Sequence, residues 1–281
     1  MSVDLSIIVL SWNVRDLLRA CLMSVQQNVE TSERLNVETL IVDNASTDGS
    51  AEMVAREFPT VRLIRNRANL GYAGANNIGI AASQGRYVLL LNSDTIVPAG
   101  ALAELVAFMA AHPEAGACSP QLVGSDGRPQ SYAFGCDPTP GYLLRRGLYR
   151  QLLRRPLHDW DTAELQEVDW VSGACLLVRR ATIEQVGGLD EQFFMYFEDN
   201  DWCLRMRRAG WKVYYNPNVC ITHIGGQGLI QNPAARRAYH RSLEYFYAKY
   251  YGPLARGLLK SFLLVYRFFF NPNRHKPKPT R

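Results

Sequence analysis

The sequence has little that marks an exported or disulfide-stabilised protein. Its first residues, "MSVDLSIIVLSWN", contain no basic segment and only a short apolar run, so they predict a β-strand rather than a signal peptide. None of the six cysteines forms a Cys-x-x-Cys pair, and most lie inside apolar stretches such as "GACLLV". We therefore expect buried, reduced cysteines in a reducing compartment, without disulfide bonds or a zinc site.

Acidic residues are absent from the C-terminal end of the chain. Residues 254–281 contain seven Lys or Arg residues and no Asp or Glu, whereas the whole chain of 281 residues has a net charge of +5. Subtracting those seven charges leaves −2 for residues 1–253. Because the basic excess belongs to one end, the composition argues against nucleic-acid binding and predicts an anionic surface as the partner of the C-terminus.

Strand and helix patterns alternate along the first hundred residues. Apolar runs such as "LSIIVLSW", "VETLIVDN" and "RYVLLLNSD" are separated by segments with helical spacing, which is typical of a parallel, doubly wound sheet. The ligands of such sheets bind beyond the carboxyl ends of the strands. Polar side chains cluster at these predicted ends: Ser11, Asn13, Asp43, Asn44, Asn69, Asn92 and Asp94.

Two loops after these strands contain candidate ligand-binding residues. In "VDNASTDGS", Asp43 is placed to accept a hydrogen bond from a ligand, whereas Asp48 is better explained as an acid that caps the next helix. The small residues of "NLGYAGANNIG" would let the backbone approach a ligand, and the helix N-terminus there favours phosphate. A tight turn without a ligand is the alternative for this second loop.

The most apolar strand ends in Asn92, Ser93 and Asp94. A carboxylate at such a place can bind a hard divalent cation such as Mg²⁺ or Mn²⁺, which prefers oxygen ligands and bridges phosphates. A turn or helix-capping aspartate explains Asp94 equally well, so the motif alone leaves both interpretations open.

Three acids follow an aromatic run in "FFMYFEDNDWC". If a helix begins near Glu198, its spacing places Asp199 on the inward, apolar face with Trp202. Asp201 then forms a surface pair with Arg205, worth only about 0.3–0.5 kcal/mol. Glu198 falls between the two faces. The alternative is that all three acids only cap and solvate the helix.

The rest of the chain predicts a functional loop region and an amphipathic helix. Residues 119–168 show no clear period and are rich in Gly, Pro, Arg and aromatic residues. In "LARGLLKSFLLVYRFFF", three basic residues fall within about 40° of one another on a helix: Arg256, Lys260 and Arg267. This stripe is typical of a helix that contacts an anionic membrane surface rather than spanning the membrane. A helix that packs on the domain or in a homodimer is the alternative.

Taken together, these segments resemble family 2 glycosyltransferases, and in particular their rhamnosyltransferase-like branch. The resemblance rests on "VLSWN", "VDNASTDGS", "NLGYAGANN", "LNSDT", "WVSGACLLVRR", "FFMYFEDNDWCLR" and "HIGGQG", in the family's order and spacing over residues 4–230. It implies an α/β fold of the GT-A type, a mostly parallel sheet flanked by helices. It also implies a nucleotide-sugar donor, a divalent metal and inversion at the anomeric carbon.

The resemblance implies roles for particular residues. Asp199 would be the catalytic base, with Glu198 beside it as either a helix cap or an acceptor contact. Asp94 and His223 would bind the metal, although Asn92 replaces the first acid of the family's DxD motif. The nucleotide pocket would be lined by Ser11, Asn13, Asp43, Asn69, the Ala73-Gly74 turn, Asn92 and Ser93. The acceptor side would be lined by Trp170, Gly173 and Ala174, with Trp170 equally explicable as a core residue.

The resemblance also implies an organisation and a substrate class. We expect a GT-A domain over residues 1–230, with a nucleotide-binding half of about 1–115 and an acceptor half of about 116–230. A basic helical extension over residues 231–281 would hold the protein peripherally on the cytoplasmic face of the plasma membrane. The expected reaction transfers L-rhamnose from dTDP-rhamnose to a saccharide or polyprenyl-linked saccharide in cell-surface polysaccharide synthesis.

Three other functions are compatible with parts of the sequence. A UDP-sugar donor, including UDP-galactofuranose, is one alternative. A non-catalytic nucleotide- or glycan-binding relative is a second, but the presence of Asp94, Asp199 and His223 together argues against it. A nucleotidyltransferase would be expected to show a glycine-rich loop after the first strand, and "SWNVRDLL" contains no glycine.

Overall fold

The computed structural model of the protein describes residues 3–31, 35–153, 157–225 and 233–269. The strands in chain order are β1 (Leu5–Ser11), β2 (Val37–Asp43), β3 (Arg62–Arg65), β4 (Tyr87–Asn92), β5 (Thr95–Ile96), β6 (Ala115–Val123), β7 (Phe134–Gly135), β8 (Gln166–Glu167), β9 (Trp170–Val171), β10 (Cys175–Arg179) and β11 (Lys212–His223). The helices are α1 (Arg15–Thr31), α2 (Ser50–Glu57), α3 (Gly71–Ala82), α4 (Ala101–Ala111), α5 (Pro140–Leu148), α6 (Arg180–Val186), α7 (Glu198–Arg208), α8 (Pro233–Tyr250) and α9 (Gly252–Phe269).

The first four strands form the parallel sheet that the sequence predicts. They are ordered β3-β2-β1-β4, and a helix connects each strand to the next. Ile8 of β1 pairs with Leu40 of β2 on one side and with Leu90 of β4 on the other. All three side chains are fully buried, because helices cover both faces of a parallel sheet and its central strands contain few polar residues. The predicted doubly wound half is therefore confirmed.

The second half of the sheet is mixed rather than parallel. Strand β10 is inserted between β4 and β6 and runs antiparallel to both. Strand β11 runs parallel to β6, and its last residue, His223, pairs with Thr95 of β5. This arrangement brings the end of a strand late in the chain to the carboxyl end of β4. The two halves consequently share one sheet and one hydrophobic core.

The segment predicted as irregular contains a helix that its sequence pattern does not reveal. Within residues 119–168, α5 begins after Thr139, whose hydroxyl oxygen accepts a hydrogen bond from the Tyr142 amide. A π-helical segment (Tyr149–Leu153) continues α5. No α5 side chain is fully buried, and the Gly, Pro and Arg residues around its leucines give the segment its irregular sequence pattern.

The C-terminal helices pack on α7 through a second hydrophobic cluster, here called the aromatic cluster. Its buried members are Phe193, Phe197, Leu204, Leu243, Phe246, Tyr247 and Leu259. One face of α9 is therefore covered by protein, while Leu254, Leu258 and Phe262 on its other face are 58–79% exposed. The expected domain boundary at residue 230, the Gly226–Gly228 part of "HIGGQG" and the basic residues 271–281 lie outside the described parts of the chain.

Two further expectations concern the cysteines and the membrane. All six cysteines are free, and Cys21, Cys118, Cys175 and Cys203 are buried in the core. Among the described helices, none is both long enough and apolar enough to cross a bilayer. The expected burial is wrong for Cys220, which is exposed, and for Cys136, which is only partly buried.

Candidate active site

The carboxyl ends of β1, β2 and β4 converge on one edge of the sheet. Ser11 pairs with Asp43 at the ends of β1 and β2, and Leu10 pairs with Asn92 at the end of β4. Asp43 is buried, and its Oδ2 atom accepts a hydrogen bond from the Ser46 amide. Neither Asp43 Oδ1 nor Ser11 Oγ has a hydrogen-bond partner among the described residues. Buried polar atoms normally have partners, so both atoms are candidates for ligand contact.

Two asparagines hold the loops around this edge. Asn13 adopts a left-handed backbone (φ 54°), and its Oδ1 atom accepts a hydrogen bond from the Thr47 amide. Asn69 Oδ1 accepts hydrogen bonds from the Gly71 amide and from the Asn44 side chain. Asp48 accepts hydrogen bonds from the amides of Arg15 and Ser50, the first residues of α1 and α2, although the N-cap residue of α2 is Gly49.

The prediction that Ala73 and Gly74 form a turn at the nucleotide pocket is wrong. Both residues lie inside α3, which begins at Gly71 because Asn69 accepts the Gly71 hydrogen bond. Ala73 is fully buried in the core, so its side chain does not line a pocket. The N-terminus of α3 is also covered, since the Tyr72 amide donates to the carbonyl oxygen of Phe194 at 2.7 Å. The Gly71 and Tyr72 amides are therefore not free to bind a phosphate.

Asp94 and His223 meet although they are far apart in the sequence. His223 Nε2 lies 3.3 Å from Asp94 Oδ1 and 3.4 Å from the Asn92 side-chain nitrogen. Gly225 lies against the Asp94 carboxylate, and a Cβ atom there would overlap its Oδ2 atom. The glycine two residues after the histidine is thus required by a close approach to the acid.

Gln130 fixes the orientation of His223. Its Nε2 atom donates to the carbonyl oxygens of His223 (2.6 Å) and Gly225 (3.2 Å), which leaves its Oε1 atom facing His223 Nδ1 at 2.8 Å. The Nδ1 atom must then carry the imidazole proton, because an amide oxygen only accepts. The Nε2 atom of the neutral ring is left as an acceptor.

The Asp94–His223 pair is therefore suited to a cation. With the ring proton on Nδ1, His223 Nε2 and Asp94 Oδ1 are two acceptor atoms 3.3 Å apart, and either a second ring proton or a bound metal ion between them makes the contact favourable. A carboxylate and an imidazole are ordinary ligands of Mn²⁺. Among the described residues, no cluster of three or more His, Cys, Asp or Glu side chains surrounds a common point. The protein residues present fit a divalent cation whose remaining ligands come from a bound substrate.

Asp199 lies in the first turn of α7 and is held by backbone amides. Its Oδ2 atom accepts from the Gly173 amide at 3.0 Å, and its Oδ1 atom accepts from the Asn200 amide at 2.8 Å. Burial raises the pKa of Asp199, and these hydrogen bonds only partly offset the effect. A half-buried carboxylate with a raised pKa is a suitable general base.

Glu198 is the first residue of α7. It is buried, and its Oε2 atom has no hydrogen-bond partner among the described residues. Burial, together with the charge of Asp199, raises the pKa of Glu198 well above its ordinary value. The turn before the helix explains this placement, because Tyr196 (φ 70°) and Phe197 (φ 69°) both adopt the left-handed conformation. Such a turn is strained for aromatic residues, and strain of this kind is concentrated at functional sites.

The prediction that Asp201 and Arg205 form a surface pair is wrong. The two side chains do interact, with Arg205 Nε 2.8 Å from Asp201 Oδ2, but Asp201 is completely buried. Its Oδ1 atom also accepts hydrogen bonds from Lys249 and Tyr250 of α8, each at 2.6 Å. The sequence of α7 alone cannot reveal this burial, because α8, which is distant in the sequence, covers the acid.

The turn between β9 and β10 connects the region around Asp94 to the region around Asp199. The Gly173 amide donates to Asp199, while the Ala174 carbonyl oxygen accepts from the Asn92 amide at 2.9 Å. The Gly173 carbonyl oxygen accepts from the Tyr72 hydroxyl at 2.6 Å, and a Cβ atom on Gly173 would lie 2.7 Å from that hydroxyl. Trp170 lies beside this turn and is partly buried, with its indole nitrogen 2.9 Å from the Cys136 carbonyl oxygen.

Sequence reasoning missed Gln130 and Tyr72, two residues that position the site. Gln130 lies 93 positions from His223, and no local pattern connects them. Tyr72 lies within the glycine-rich segment, where its aromatic ring among small residues was the available signal. Both residues act through hydrogen bonds that only the folded sheet creates.

Comparisons with known proteins agree with this architecture. Residues 6–159 match the family described as "Glycosyl transferase family 2", and residues 87–237 match "Glycosyl transferase family group 2". The chain is 35% identical over 231 residues to the N-acetylglucosaminyl-diphospho-decaprenol L-rhamnosyltransferase of Mycobacterium tuberculosis, covering 75% of this chain and 74% of that protein. It is 46% identical over 56 residues to the rhamnosyltransferase WbbL of Escherichia coli, covering 20% of this chain and 21% of that protein.

Solved structures of glycosyltransferases share the fold. GalNAc-T7 with UDP, GalNAc and Mn²⁺ has a TM-score of 0.62 at 17% identity, over 88% of this chain and 48% of that one. The mannosyltransferase PcManGT of Pyrobaculum calidifontis, with GDP-Man and Mn²⁺, has a TM-score of 0.58 at 18% identity, over 95% of this chain and 81% of that one. The expected GT-A fold is therefore confirmed. The chain belongs to glycosyl transferase family 2, as a glycosyltransferase of the rhamnosyltransferase-like branch.

Proposed function

We propose that this glycosyltransferase is inverting and metal-dependent, and that it moves L-rhamnose from dTDP-rhamnose to a polyprenyl-linked saccharide. The observation that carries the proposal is the turn of Gly173 and Ala174. It connects the end of β4, beside the Asp94–His223 pair, to the carboxylate of Asp199. This one turn then holds both the cation site that would bind the donor diphosphate and the base that would act on the acceptor.

The donor base would bind at the ends of β1 and β2. Asp43 Oδ1 and Ser11 Oγ are polar atoms without partners among the described residues, at a buried edge of the sheet. A carboxylate oxygen there accepts a hydrogen bond from the N3–H group of thymine or uracil. Cytosine has no hydrogen on N3, so the same oxygen would reject it.

The cation would be Mn²⁺ or Mg²⁺, held by Asp94 Oδ1 and His223 Nε2, with diphosphate oxygens supplying further ligands. An imidazole ligand favours Mn²⁺ over Mg²⁺. When bound, the ion supplies positive charge that stabilises the diphosphate leaving group. Gln130 would serve this site by presenting the unprotonated Nε2 atom of His223.

Asp199 would act as the general base. As the acceptor oxygen bonds to the anomeric carbon, its proton passes to the Asp199 carboxylate, and the carbon–oxygen bond to the diphosphate breaks on the opposite face. The products are the inverted rhamnoside and dTDP. Base assistance of this kind is worth about 10²–10⁴-fold in rate. The raised pKa of Asp199 strengthens it as a base while the Gly173 amide keeps it oriented.

The choice of sugar and acceptor follows the two rhamnosyltransferases to which the chain is similar, one of which is named for a decaprenol-linked GlcNAc diphosphate. An acceptor of that kind lies in a membrane, and the basic C-terminal helix supports peripheral attachment at the cytoplasmic face. The exposed Leu254, Leu258 and Phe262 of α9 would contact the bilayer.

A donor panel tests the proposal. Thermal unfolding would be followed with dTDP-rhamnose, UDP-galactofuranose, UDP-galactose and GDP-mannose, each with Mn²⁺, with Mg²⁺ or with a chelator. A ligand that binds only the native protein raises the melting temperature, so we expect the largest rise with dTDP-rhamnose and Mn²⁺. A larger rise with a UDP-sugar would transfer the assignment to that donor. No rise with any nucleotide sugar would contradict the proposal.

A further inference from the structure

One internal stretch of the chain is as strongly basic as the C-terminus. Residues 138–158 contain five arginines and no Asp or Glu. With the seven charges of residues 254–281 also removed, the remaining chain has a net charge of −7, from the total of +5. The positive charge of this protein is therefore concentrated in two short segments.

This stretch also exposes large apolar side chains. Along α5 and the π-helical segment, Leu144, Leu148 and Leu152 recur every four residues, close to one helical turn, and are 50–76% exposed. Tyr149 and Leu153 beside them are 41% and 55% exposed. Exposed leucines grouped with basic residues on a helix are typical of an element that lies in a membrane interface.

The opposite side of α5 is fixed to the protein. Leu143 packs against the aromatic cluster, and the Tyr142 hydroxyl lies 2.7 Å from His158 Nε2. Leu259 and Leu263 of α9 pack against the same cluster. Both basic segments are thus attached to one cluster and expose apolar residues away from it.

The position of α5 also relates it to the active site. The helix follows β7, which pairs with β9, and β9 leads into the Gly173 turn that binds Asp199. A surface that α5 contacts is therefore on the acceptor side of the site, where a lipid-linked substrate has to enter.

We propose that residues 140–153 form a second membrane-contact element, which docks on an anionic bilayer together with α9. The leucines enter the interface, and the exposed Arg145 of α5 meets the lipid phosphates. The charge segregation favours an anionic membrane over a symmetric dimer through this face, because two such basic segments repel each other. The proposal rests on the proposed function only in that a lipid-linked acceptor gives membrane binding its purpose. Binding to vesicles is measured without a substrate and therefore tests the proposal independently.

Flotation of the full chain with vesicles tests the proposal. The variant Leu144→Ser, Leu148→Ser, Leu152→Ser is compared with Met23→Ser, Leu165→Ser, which changes exposed apolar residues outside the two basic segments. Vesicles of phosphatidylcholine alone are compared with vesicles that contain about 30% phosphatidylglycerol. We expect the unchanged protein to bind only the anionic vesicles, the triple variant to bind at least about tenfold less, and the control to differ by less than about twofold.

Further measurements keep the outcomes distinct. Arg145→Glu reverses an exposed charge on α5 without altering its apolar face and should also weaken binding to the anionic vesicles, more at low salt. Undiminished binding by both α5 variants would overturn the proposal, as would a dimer that dissociates in the triple variant while vesicle binding persists. If no nucleotide sugar raises the melting temperature but the α5 variants bind the vesicles less, the proposed function is contradicted and the membrane-contact proposal is not.

Discussion

The side-chain oxygen of Gln130 lies 2.8 Å from Nδ1 of His223, while the nitrogen of the same amide lies 2.6 Å from the His223 carbonyl oxygen. One glutamine thus holds both the ring and the backbone of this histidine. The arrangement assigns the proton to Nδ1 and leaves Nε2 as an acceptor beside Asp94. An outer hydrogen bond of this kind commonly orients a metal-binding histidine.

Gln130→Ala should therefore weaken cation binding without unfolding the protein. We expect Mn²⁺ affinity, measured by calorimetry in the presence of dTDP, to fall by about 10–100-fold. Gln26→Ala removes a glutamine from the exposed surface of α1 and should leave the affinity unchanged. Equal Mn²⁺ affinity in the Gln130→Ala and unchanged proteins would show that Gln130 does not position the ligand.

Asp43→Asn should change the choice of nucleobase. The asparagine can still accept the Ser46 hydrogen bond, but its amide nitrogen then faces the N3–H group of thymine with a second donor. We expect dTDP to bind at least about tenfold more weakly, which corresponds to losing a hydrogen bond to a charged group. Because cytosine accepts at N3, the preference for dTDP over dCDP should decline, and titration with both nucleotides measures it. An unchanged preference would place the base elsewhere.

Asp201→Asn should destabilise the fold. The carboxylate is completely buried and binds Arg205, Lys249 and Tyr250, so removing its charge takes an ionic partner from each of the two cations. We expect the free energy of unfolding to fall by about 3 kcal/mol, measured by urea denaturation. Asp16→Asn on exposed α1 should change it by less than about 0.5 kcal/mol. A similarly small effect for Asp201→Asn would mean that α8 does not cover this acid in solution.

Glu198→Gln should stabilise the protein in a pH-dependent way. The pKa of buried Glu198 is raised, so the folded state binds its proton more tightly than the unfolded state does. Stability from this group is fully present below its ordinary pKa of 4.5 and is lost as pH rises through the folded pKa. Glutamine stays neutral at every pH, so the variant does not lose this stability as the pH rises. The melting temperature of Glu198→Gln should exceed that of the unchanged protein at pH 8, with a smaller difference at pH 5. A difference that grows towards pH 5 would contradict a raised pKa.

The elements that could be predicted from the sequence depend on local periodicity. The alternating strands and helices placed Ser11, Asp43 and Asn92 at one edge, since the carboxyl ends of parallel strands meet there. The pairing of Asp94 with His223 followed from the family resemblance, and the structure brings these two side chains within 3.3 Å.

The features that could not be predicted depend on distant parts of the chain. Asp201 looks exposed on α7 alone and is buried only by α8. The family resemblance implied a turn at Ala73, whereas Asn69 supplies the hydrogen bond that starts α3 at Gly71. Helix α5 was not predicted because the Gly, Pro and Arg residues around Leu144 obscure the helical spacing of its leucines, which are exposed.

The most direct test of the account is the turnover of Asp199→Asn with dTDP-rhamnose, Mn²⁺ and a polyprenyl-linked GlcNAc diphosphate. The amide can still accept the Gly173 hydrogen bond but cannot take a proton from the acceptor. We expect kcat to fall by about 10²–10⁴-fold, while dTDP and Mn²⁺ affinities stay within about threefold of the unchanged protein. Rhamnosyl transfer at an undiminished rate would contradict the assignment of Asp199 as the catalytic base.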